Sequence, residues 1–383
     1  MFKFNKMRKV SVLVYTVFFY SFSARANIDV PNSDFIQFSG RLHFDLLYNN
    51  NGNKTLNKNN NGIRDLSNTL SSFYISSLMF NTKFKLSPES LVVLKLDSKL
   101  NSIAIKELYL IHTFSDKMHL TLGQTVVQSS LESIGYNYTI FNNYSLFCTC
   151  SLFAAYTNGL ILKYIDSRYG IYVGIYGNSI HDKPDEVSKF TFVGRSYFNP
   201  IRSGNNLIHI GANIYHENRS NKTASNSDSF PFKQIQRIGA EFAINYSIFN
   251  FQSEYRTSQV EPEKYHKKFS NLYNFYIESS VNLSGESMIY KEGMFNFIKV
   301  KNPVSTGGYG AFSLSLKFSE TNLNLKDDND KINCGKYDEY MVAFNWTPKD
   351  GVRFTLQYSR VNEDFVDAKN SYDLLQLKTR MFF

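Results

Sequence analysis

Apolar and polar residues alternate along much of this chain with the period of a β-strand. The segment from Tyr372 to Phe383 shows the pattern most clearly, because one side is apolar and the other polar or cationic: Leu375, Leu377, Thr379, Met381 and Phe383 against Gln376, Lys378 and Arg380. Such a strand suits a membrane-spanning barrel, since lipid offers the backbone no hydrogen bonds and only a closed barrel satisfies every N–H and C=O group. An edge strand of a soluble sheet is also compatible with this pattern.

The same alternation predicts sixteen strands, and therefore an all-β fold, a transmembrane antiparallel β-barrel. The strands are expected near residues 36–48, 73–85, 90–97, 104–114, 118–123, 156–165, 169–177, 189–198, 206–216, 236–246, 249–257, 273–284, 309–319, 337–346, 351–361 and 372–383. Tight connections alternate with long polar ones, as expected for periplasmic turns and extracellular loops. The connection from Gly285 to Gly308 breaks this rule, because it takes the place of a short periplasmic turn and runs about two dozen residues. Either it folds into the lumen or the strand count is wrong.

Residues 1–26 are expected to be a secretory signal peptide, and residues 27–383 the barrel. Basic residues precede an apolar run from Val10 to Tyr20, and Ala24-Arg-Ala26 follows it as a cleavage site. The apolar run is about half of the ~20 residues that a membrane-spanning helix needs. A secreted chain with amphipathic strands and an aromatic end at Phe383 is typical of the bacterial outer membrane, where we expect this protein.

Composition narrows the function classes. Aromatic residues make up 16% of the chain, with 34 Phe and 26 Tyr, which suits the interfacial girdles of a barrel. Without the five basic residues of the leader, 37 Lys and Arg face 33 Asp and Glu, a formal charge of +4, which is too weak to indicate nucleic-acid binding. We find no zinc, nucleophile or nucleotide motif, so we predict neither an enzyme nor a cofactor site. The pairing of Cys148, Cys150 and Cys334 is left open.

Strand parity assigns many charged side chains to the lumen. The pore-lining candidates are Arg41, Lys83, Lys85, Lys95, Arg195, Arg237, Arg353, Lys378 and Arg380. Lys163, Arg256 and Lys317 share this side, and the opposing acids are Asp45, Asp97, Glu107, Glu241, Glu254 and Glu278. Twice as many cations as anions in an aqueous channel favour anions. Alternatively, the charges pair with one another and stiffen the barrel wall.

The connection from Gln124 to Ala155 is about thirty residues long. A connection of that length over a wide barrel is a candidate to fold inward and narrow the lumen, and an external loop is the alternative. Its constriction candidates are Leu131, Glu132 and Ser133.

Several stretches resemble the phosphate-selective porin O and P family of Gram-negative outer membranes. They follow one another in the family's order: Phe38–Asp45, Leu122–Gln124, Leu131–Ser133, Gly194-Arg195, Leu207–Ala212, Gly285–Tyr290, Lys299–Pro303, Gly310–Leu316, Phe344–Trp346 and Leu375–Leu377. The resemblance implies a sixteen-stranded trimeric channel with a narrowed, arginine-lined path for anions, and it places Arg41, Glu132, Arg195 and Arg237 at the lumen or constriction. The stretch Phe73–Leu78 departs from the family, since it lacks the adjacent arginines expected there.

The sequence therefore predicts a passive porin for small hydrophilic solutes with a modest anion preference, phosphate being one candidate. The alternative is a surface antigen or adhesin whose barrel is plugged and whose loops bind other surfaces. The expected partners are outer-membrane lipid, small anionic or hydrophilic solutes, two further copies in a homotrimer, and the barrel-assembly machinery acting on the terminal strand. No nucleic-acid partner is expected.

Overall fold

Sixteen antiparallel strands hydrogen-bond in a ring and form a closed barrel. The structure, a computed structural model, describes residues 35–49, 72–99, 102–134, 141, 156–182, 187–221, 232–262, 269–326, 331–365 and 369–383. The predicted signal peptide, Cys148 and Cys150 lie outside these residues. Among the described residues, no helix is both long and apolar enough to cross a membrane.

The barrel strands follow the chain in order around the ring. They are β1 (Ile36–Asn49), β2 (Ser72–Lys85), β3 (Ser90–Lys99), β4 (Ser102–Ser115), β5 (Met118–Val126), β6 (Tyr156–Ile165), β7 (Tyr169–Tyr176), β8 (Val187–Ser203), β9 (Asn206–Asn221), β10 (Phe232–Tyr246), β11 (Phe249–Pro262), β12 (Phe269–Asn282), β15 (Ala311–Lys326), β16 (Lys331–Lys349), β17 (Val352–Asp364) and β18 (Lys369–Phe382). Between β12 and β15 stand a short hairpin, β13 (Met288–Lys291) and β14 (Met294–Ile298), and a 3₁₀ turn, η1 (Val304–Thr306). The predicted fold and strand number are confirmed.

Several strands extend further than their apolar alternation predicts. The stretch from 320 to 336 was expected to be a loop, yet β15 continues to Lys326 and β16 begins at Lys331. The prediction fails there because strand pairing needs only backbone hydrogen bonds, whereas apolar alternation is required only where the outer face meets lipid.

The first and last strands close the ring. β1 and β18 pair with Arg41 opposite Phe382 and Asp45 opposite Lys378. Beyond the ladder, Gly40 N donates to Phe383 O at 2.6 Å, and Phe383 N donates to Gly40 O at 3.1 Å. The closure leaves neither β1 nor β18 as an open sheet edge.

Each strand turns one face outward and one inward. In β7 the outward residues Ile171, Val173 and Ile175 are exposed, whereas the inward Tyr172 and Tyr176 are buried. Aromatic side chains stack on the outer face, near the strand ends in the pair Phe312–Trp346 and closer to the middle of the strands in the pair Tyr255–Tyr273. An apolar outer band with aromatic ends fits the hydrocarbon core and the interfaces of a bilayer.

The connection from 285 to 308 folds into the lumen, so the strand count stands. Its hairpin, β13–β14, enters from the rim that carries the short turns. The buried side chains of Met288, Tyr290 and Phe295 pack with Leu207 and Ala243 of the barrel wall. The apolar residues of this connection are thereby removed from water inside the barrel.

Candidate functional site

A short helix, α1 (Leu131–Ile134), lies against the inner wall formed by β11, β12 and β15. The Glu132 carboxylate accepts hydrogen bonds from Arg256 Nη2 and Lys317 Nζ, each at 2.8 Å. In return, Glu254 accepts from the backbone N–H groups of Leu131 at 2.7 Å and Glu132 at 3.1 Å. The start of the helix is therefore fixed to the wall through its side chain and its backbone.

These charges form one buried network, the Glu132 cluster: Glu132, Glu254, Arg256, Glu278 and Lys317. Within it, Arg256 Nη2 lies 3.5 Å from Glu254 Oε2, and Lys317 Nζ lies 3.2 Å from Glu278 Oε2. Three carboxylates surround two cations, all of them nearly inaccessible to solvent. Buried charges at these distances are strongly coupled, so each depends on its partners for stability. Ser133 lies in α1 beside Glu132.

A second buried network, the Arg195 cluster, consists of Arg195, His209, Glu241 and Tyr290. Arg195 Nε and Nη2 donate to the two oxygens of Glu241 at 2.9 and 2.7 Å, a bidentate pair. His209 Nε2 lies 3.2 Å from Glu241 Oε2, and His209 Nδ1 lies 2.7 Å from the Tyr290 hydroxyl. Tyr290 belongs to β13, so this cluster joins the hairpin to β8, β9 and β10.

The tip of the hairpin is fixed by hydrogen bonds to its backbone. Arg195 Nη2 donates to Gly293 O at 2.8 Å, and the Tyr172 hydroxyl donates to Glu292 O at 2.8 Å. Gly293 has a φ of +72°, and a Cβ there would lie 2.4 Å from Tyr197 Cε1. Glycine is therefore required at this position both by its conformation and by the space.

A cavity of about 500 Å³ lies between the hairpin and strands β1 to β4. We call it the β1–β4 cavity. Its charged lining residues are Arg41, Lys83, Lys95, Lys291 and Glu292, and its apolar ones include Met79, Val93, Met294, Phe297, Phe382 and Phe383. This cavity adjoins the rim of short turns.

The cations of the β1–β4 cavity differ in how they are paired. Lys95 Nζ lies 2.7 Å from Glu107 Oε2, and Lys291 Nζ lies 3.4 Å from Glu292 Oε1. Arg41 Nε donates to the neutral Ser77 hydroxyl at 3.1 Å. Within the described part of the chain, Lys83 has no ion pair. The cavity therefore has more positive than negative charge.

The remaining pore-lining candidates have other surroundings. Arg353 and Arg380 are direct cross-strand neighbours, and Arg380 is also opposite His43. Arg380 Nη2 donates to Phe141 O at 2.6 Å, and the ring of Phe297 covers Arg353 at 5.5 Å. Lys378 lies 3.4 Å from Asp45 Oδ1. Arg353, Lys378 and Arg380 thus form a contiguous cationic patch on the inner wall, although inserted elements and Asp45 cover much of it.

Three further candidates lie away from the β1–β4 cavity. Arg195 is held in its cluster. Arg237 is buried beneath Tyr215, at 4.8 Å from the ring, and donates to Ser258. Lys85 is exposed at the end of β2, beside the turn to β3. The alternation of inward and outward residues did not identify Lys291, Glu292 and Phe297 as site residues, because it applies only to barrel strands. The length of the 285–308 connection was the one feature of the sequence that indicated an inserted segment.

The comparisons with known proteins agree with this architecture. The family model for phosphate-selective porin O and P matches residues 36–231 and 226–383. An uncharacterized protein of Caulobacter vibrioides is 24% identical over 198 residues, which cover 45% of this chain. The match spans 38% of that relative's length, so the relative is much longer than the matched part.

Solved structures with the same fold include three outer-membrane proteins. The anion-selective porin from Comamonas acidovorans has a TM-score of 0.55 at 9% identity and covers 91% of this chain and 99% of its own. The outer membrane channel DcaP of Acinetobacter baumannii has a TM-score of 0.52 at 12% identity and covers 91% of this chain and 97% of its own. A loop L8 deletion mutant of OmpT of Vibrio cholerae has a TM-score of 0.53 at 9% identity and covers 91% of this chain and 99% of its own. The family match extends over nearly all of the barrel, and the chain belongs to the phosphate-selective porin O and P family of the bacterial outer membrane.

Proposed function

We propose that the chain is a passive porin in which small hydrophilic solutes cross through the β1–β4 cavity, with a modest preference for anions. The observation that carries this proposal is the lining of that cavity, where Arg41, Lys83, Lys95 and Lys291 face a passage beside the hairpin. Such a passage selects by size and electrostatic potential and needs no covalent step.

The pairing of these cations explains why the preference is modest. Lys95 and Lys291 are each close to a carboxylate, whereas Lys83 has no ion pair among the described residues, so Lys83 supplies much of the excess positive potential. A unit charge ~5 Å from a permeating ion contributes about 0.8 kcal/mol in a water-like medium, or about fourfold in local anion concentration. Physiological salt screens this effect beyond about 8 Å. The cavity therefore concentrates anions without binding them tightly.

Phosphate is one such anion, but a high-affinity phosphate site is not expected. Planar guanidinium groups match phosphate oxygens best. The stretch from Phe73 to Leu78 has no arginine, and among the arginines of the lumen, Arg195 and Arg380 already donate to other groups. We expect little block of the channel by millimolar phosphate.

We assign a constriction role to Leu131, Glu132 and Ser133. The support is the Glu132 cluster, which fixes the start of α1 to the wall on the side away from β5. A segment that leaves β5 and is bound to β11 and β15 crosses part of the lumen and narrows it.

Planar-bilayer recording tests the proposal. The purified protein should form water-filled channels, and the reversal potential in a KCl gradient should indicate chloride over potassium. Lys83→Glu should move that potential toward cations, because it reverses a charge in the lining of the cavity, whereas Lys85→Glu at the exposed end of β2 should have a smaller effect. A correctly folded barrel without conductance would instead support the surface antigen with a plugged lumen.

Two partners beyond lipid and solute belong to the same proposal. The homotrimer rests on the resemblance to the family, and electrophoresis of the unheated, cross-linked protein tests it. Recognition of β18 by the barrel-assembly machinery would precede the pairing of β18 with β1, and cross-linking from β18 during assembly tests this step.

A further inference from the structure

The β1–β4 cavity has an apolar side as well as a cationic side. Phe297 of the hairpin contacts Phe382 of β18 edge to face, with ring centroids 4.6 Å apart. Met79 and Met294 line the same cavity. Apolar side chains in a water-filled passage lower the affinity for strongly hydrated ions, because those ions lose water contacts there without gaining hydrogen bonds.

The two sides meet at Arg41. In the sheet register Arg41 is directly opposite Phe382 on β18 and directly opposite Met79 on β2. The three residues occupy one row of the inner wall, where cross-strand neighbours have Cβ atoms about 5 Å apart. An anionic group held near Arg41 thus places the rest of its molecule against Phe382, Met79 and Phe297.

We propose that the solutes preferred by this cavity are small organic anions with an apolar body, such as aromatic monocarboxylates. This inference rests on the porin function proposed above and names the solute class of the same cavity. A volume of about 500 Å³ is sufficient for a molecule of this size. Arg41 and Lys83 attract the carboxylate electrostatically, and the aromatic and methionine side chains bind the ring through apolar contact. Inorganic phosphate is attracted only by the cations.

The apolar contribution sets the expected discrimination. Covering roughly 60 Å² of a phenyl ring corresponds to about a tenfold gain in affinity. Binding of this kind remains weak enough for the solute to leave, which a conducting channel requires.

The test compares benzoate with acetate and phosphate in planar bilayers. Benzoate and acetate carry the same carboxylate, so the difference between their half-blocking concentrations measures the contribution of the ring alone. We expect benzoate to reduce the KCl current at about tenfold lower concentration than either acetate or phosphate. Equal half-blocking concentrations for benzoate and acetate, in a channel that conducts KCl, would overturn the inference and leave the porin proposal intact. A folded protein that conducts no KCl would overturn the porin proposal, and this inference with it.

Variants locate the effect in the cavity. Phe297→Ala should bring the half-blocking concentration of benzoate close to that of acetate, and the KCl reversal potential should not move toward cations, since no positive charge is removed. Phe249→Ala is the matched control, because that ring is exposed on the outer face. Met79→Ala provides the same test from the barrel wall if Phe297→Ala does not fold. Lys83→Gln should weaken block by benzoate and acetate equally. Retention of the benzoate preference in both Phe297→Ala and Met79→Ala would refute the assignment to this cavity.

Discussion

Removal of the negative charge of Glu132 is predicted to release α1 from the barrel wall. In Glu132→Gln the side chain keeps its size, and its amide oxygen still accepts a hydrogen bond from Arg256 or Lys317. The charge that joins these two cations is lost, however, and both contacts of 2.8 Å are weakened. The channel should then fluctuate to a wider state.

The magnitude follows from the composition of the Glu132 cluster. Breaking a buried ion pair costs about 3–5 kcal/mol when a charge is left uncompensated. Here Glu254 remains 3.5 Å from Arg256 and Glu278 remains 3.2 Å from Lys317, so each cation keeps one carboxylate. The expected cost is therefore lower, at about 2–3 kcal/mol. This lowers the ratio of attached to detached α1 by about 30- to 150-fold.

Single-channel recording measures this change as a larger mean unit conductance and more frequent transitions between levels. Glu217→Gln is the matched control, because Glu217 is also buried and its cations, Arg219 at 3.0 Å and Lys189 at 3.9 Å, belong to barrel strands. That variant should conduct as the unsubstituted protein does. If Glu132→Gln gives a heat-modifiable barrel with unchanged conductance and unchanged noise, the assignment of Glu132 as the anchor of α1 is wrong.

Three other predictions concern the hairpin, the cavity and the rim. Gly293→Ala should displace the hairpin tip and raise conductance, since the new Cβ would lie 2.4 Å from Tyr197, whereas Gly307→Ala, which shares a positive φ but has open space around it, should have a smaller effect. Lys83→Glu should lower the chloride-to-potassium permeability ratio by more than tenfold, measured from reversal potentials at low salt, because a change of two charge units at ~5 Å alters the energy of each ion by about 1.7 kcal/mol in opposite directions. An unchanged ratio would exclude Lys83 from the permeation path. In the turn before β7, hydrogen bonds from Lys117 and Ser167 lower the pKa of Asp166 to about 2. Since the folded pKa is depressed, this contribution to stability is present above the usual value of 3.8 and is lost as the pH falls through about 2. Asp166→Asn should therefore lower the unfolding temperature slightly at pH 7 and low salt, and a difference that persisted at pH 1.5 would contradict this explanation.

The barrel could be predicted from the sequence because every strand repeats the same local requirement. A lipid-facing residue must be apolar at each second position, so alternation identifies the strand and its inner face together. The placement of Arg353 and Arg380 on the inner face followed from this parity. The ends of β15 and β16 did not follow, because no local rule marks where pairing stops outside the membrane.

The contacts inside the lumen could not be predicted in the same way. Glu132 and Lys317 are 185 positions apart, and they meet only because the closed ring and the inserted helix bring them together. The hairpin was recognisable as an unusually long connection. Its position in the lumen, however, depends on contacts with Tyr172 of β7 and with Arg195 and Tyr197 of β8. Lys291 and Phe297 therefore became visible as lining residues only in the folded chain.

The contact between Phe297 and Phe382 has a consequence for how the barrel is completed. Phe382 lies beside the line where β18 joins β1, and Phe297 also covers Arg353 on the next strand. From inside the barrel, the hairpin thus supports the junction at which the first and last strands meet. That junction joins the segments most distant along the chain, and its formation carries the largest loss of chain entropy. A hairpin already seated in the nascent barrel would offer the incoming β18 an apolar surface to dock on, which makes the inserted segment an internal template for the final step of folding.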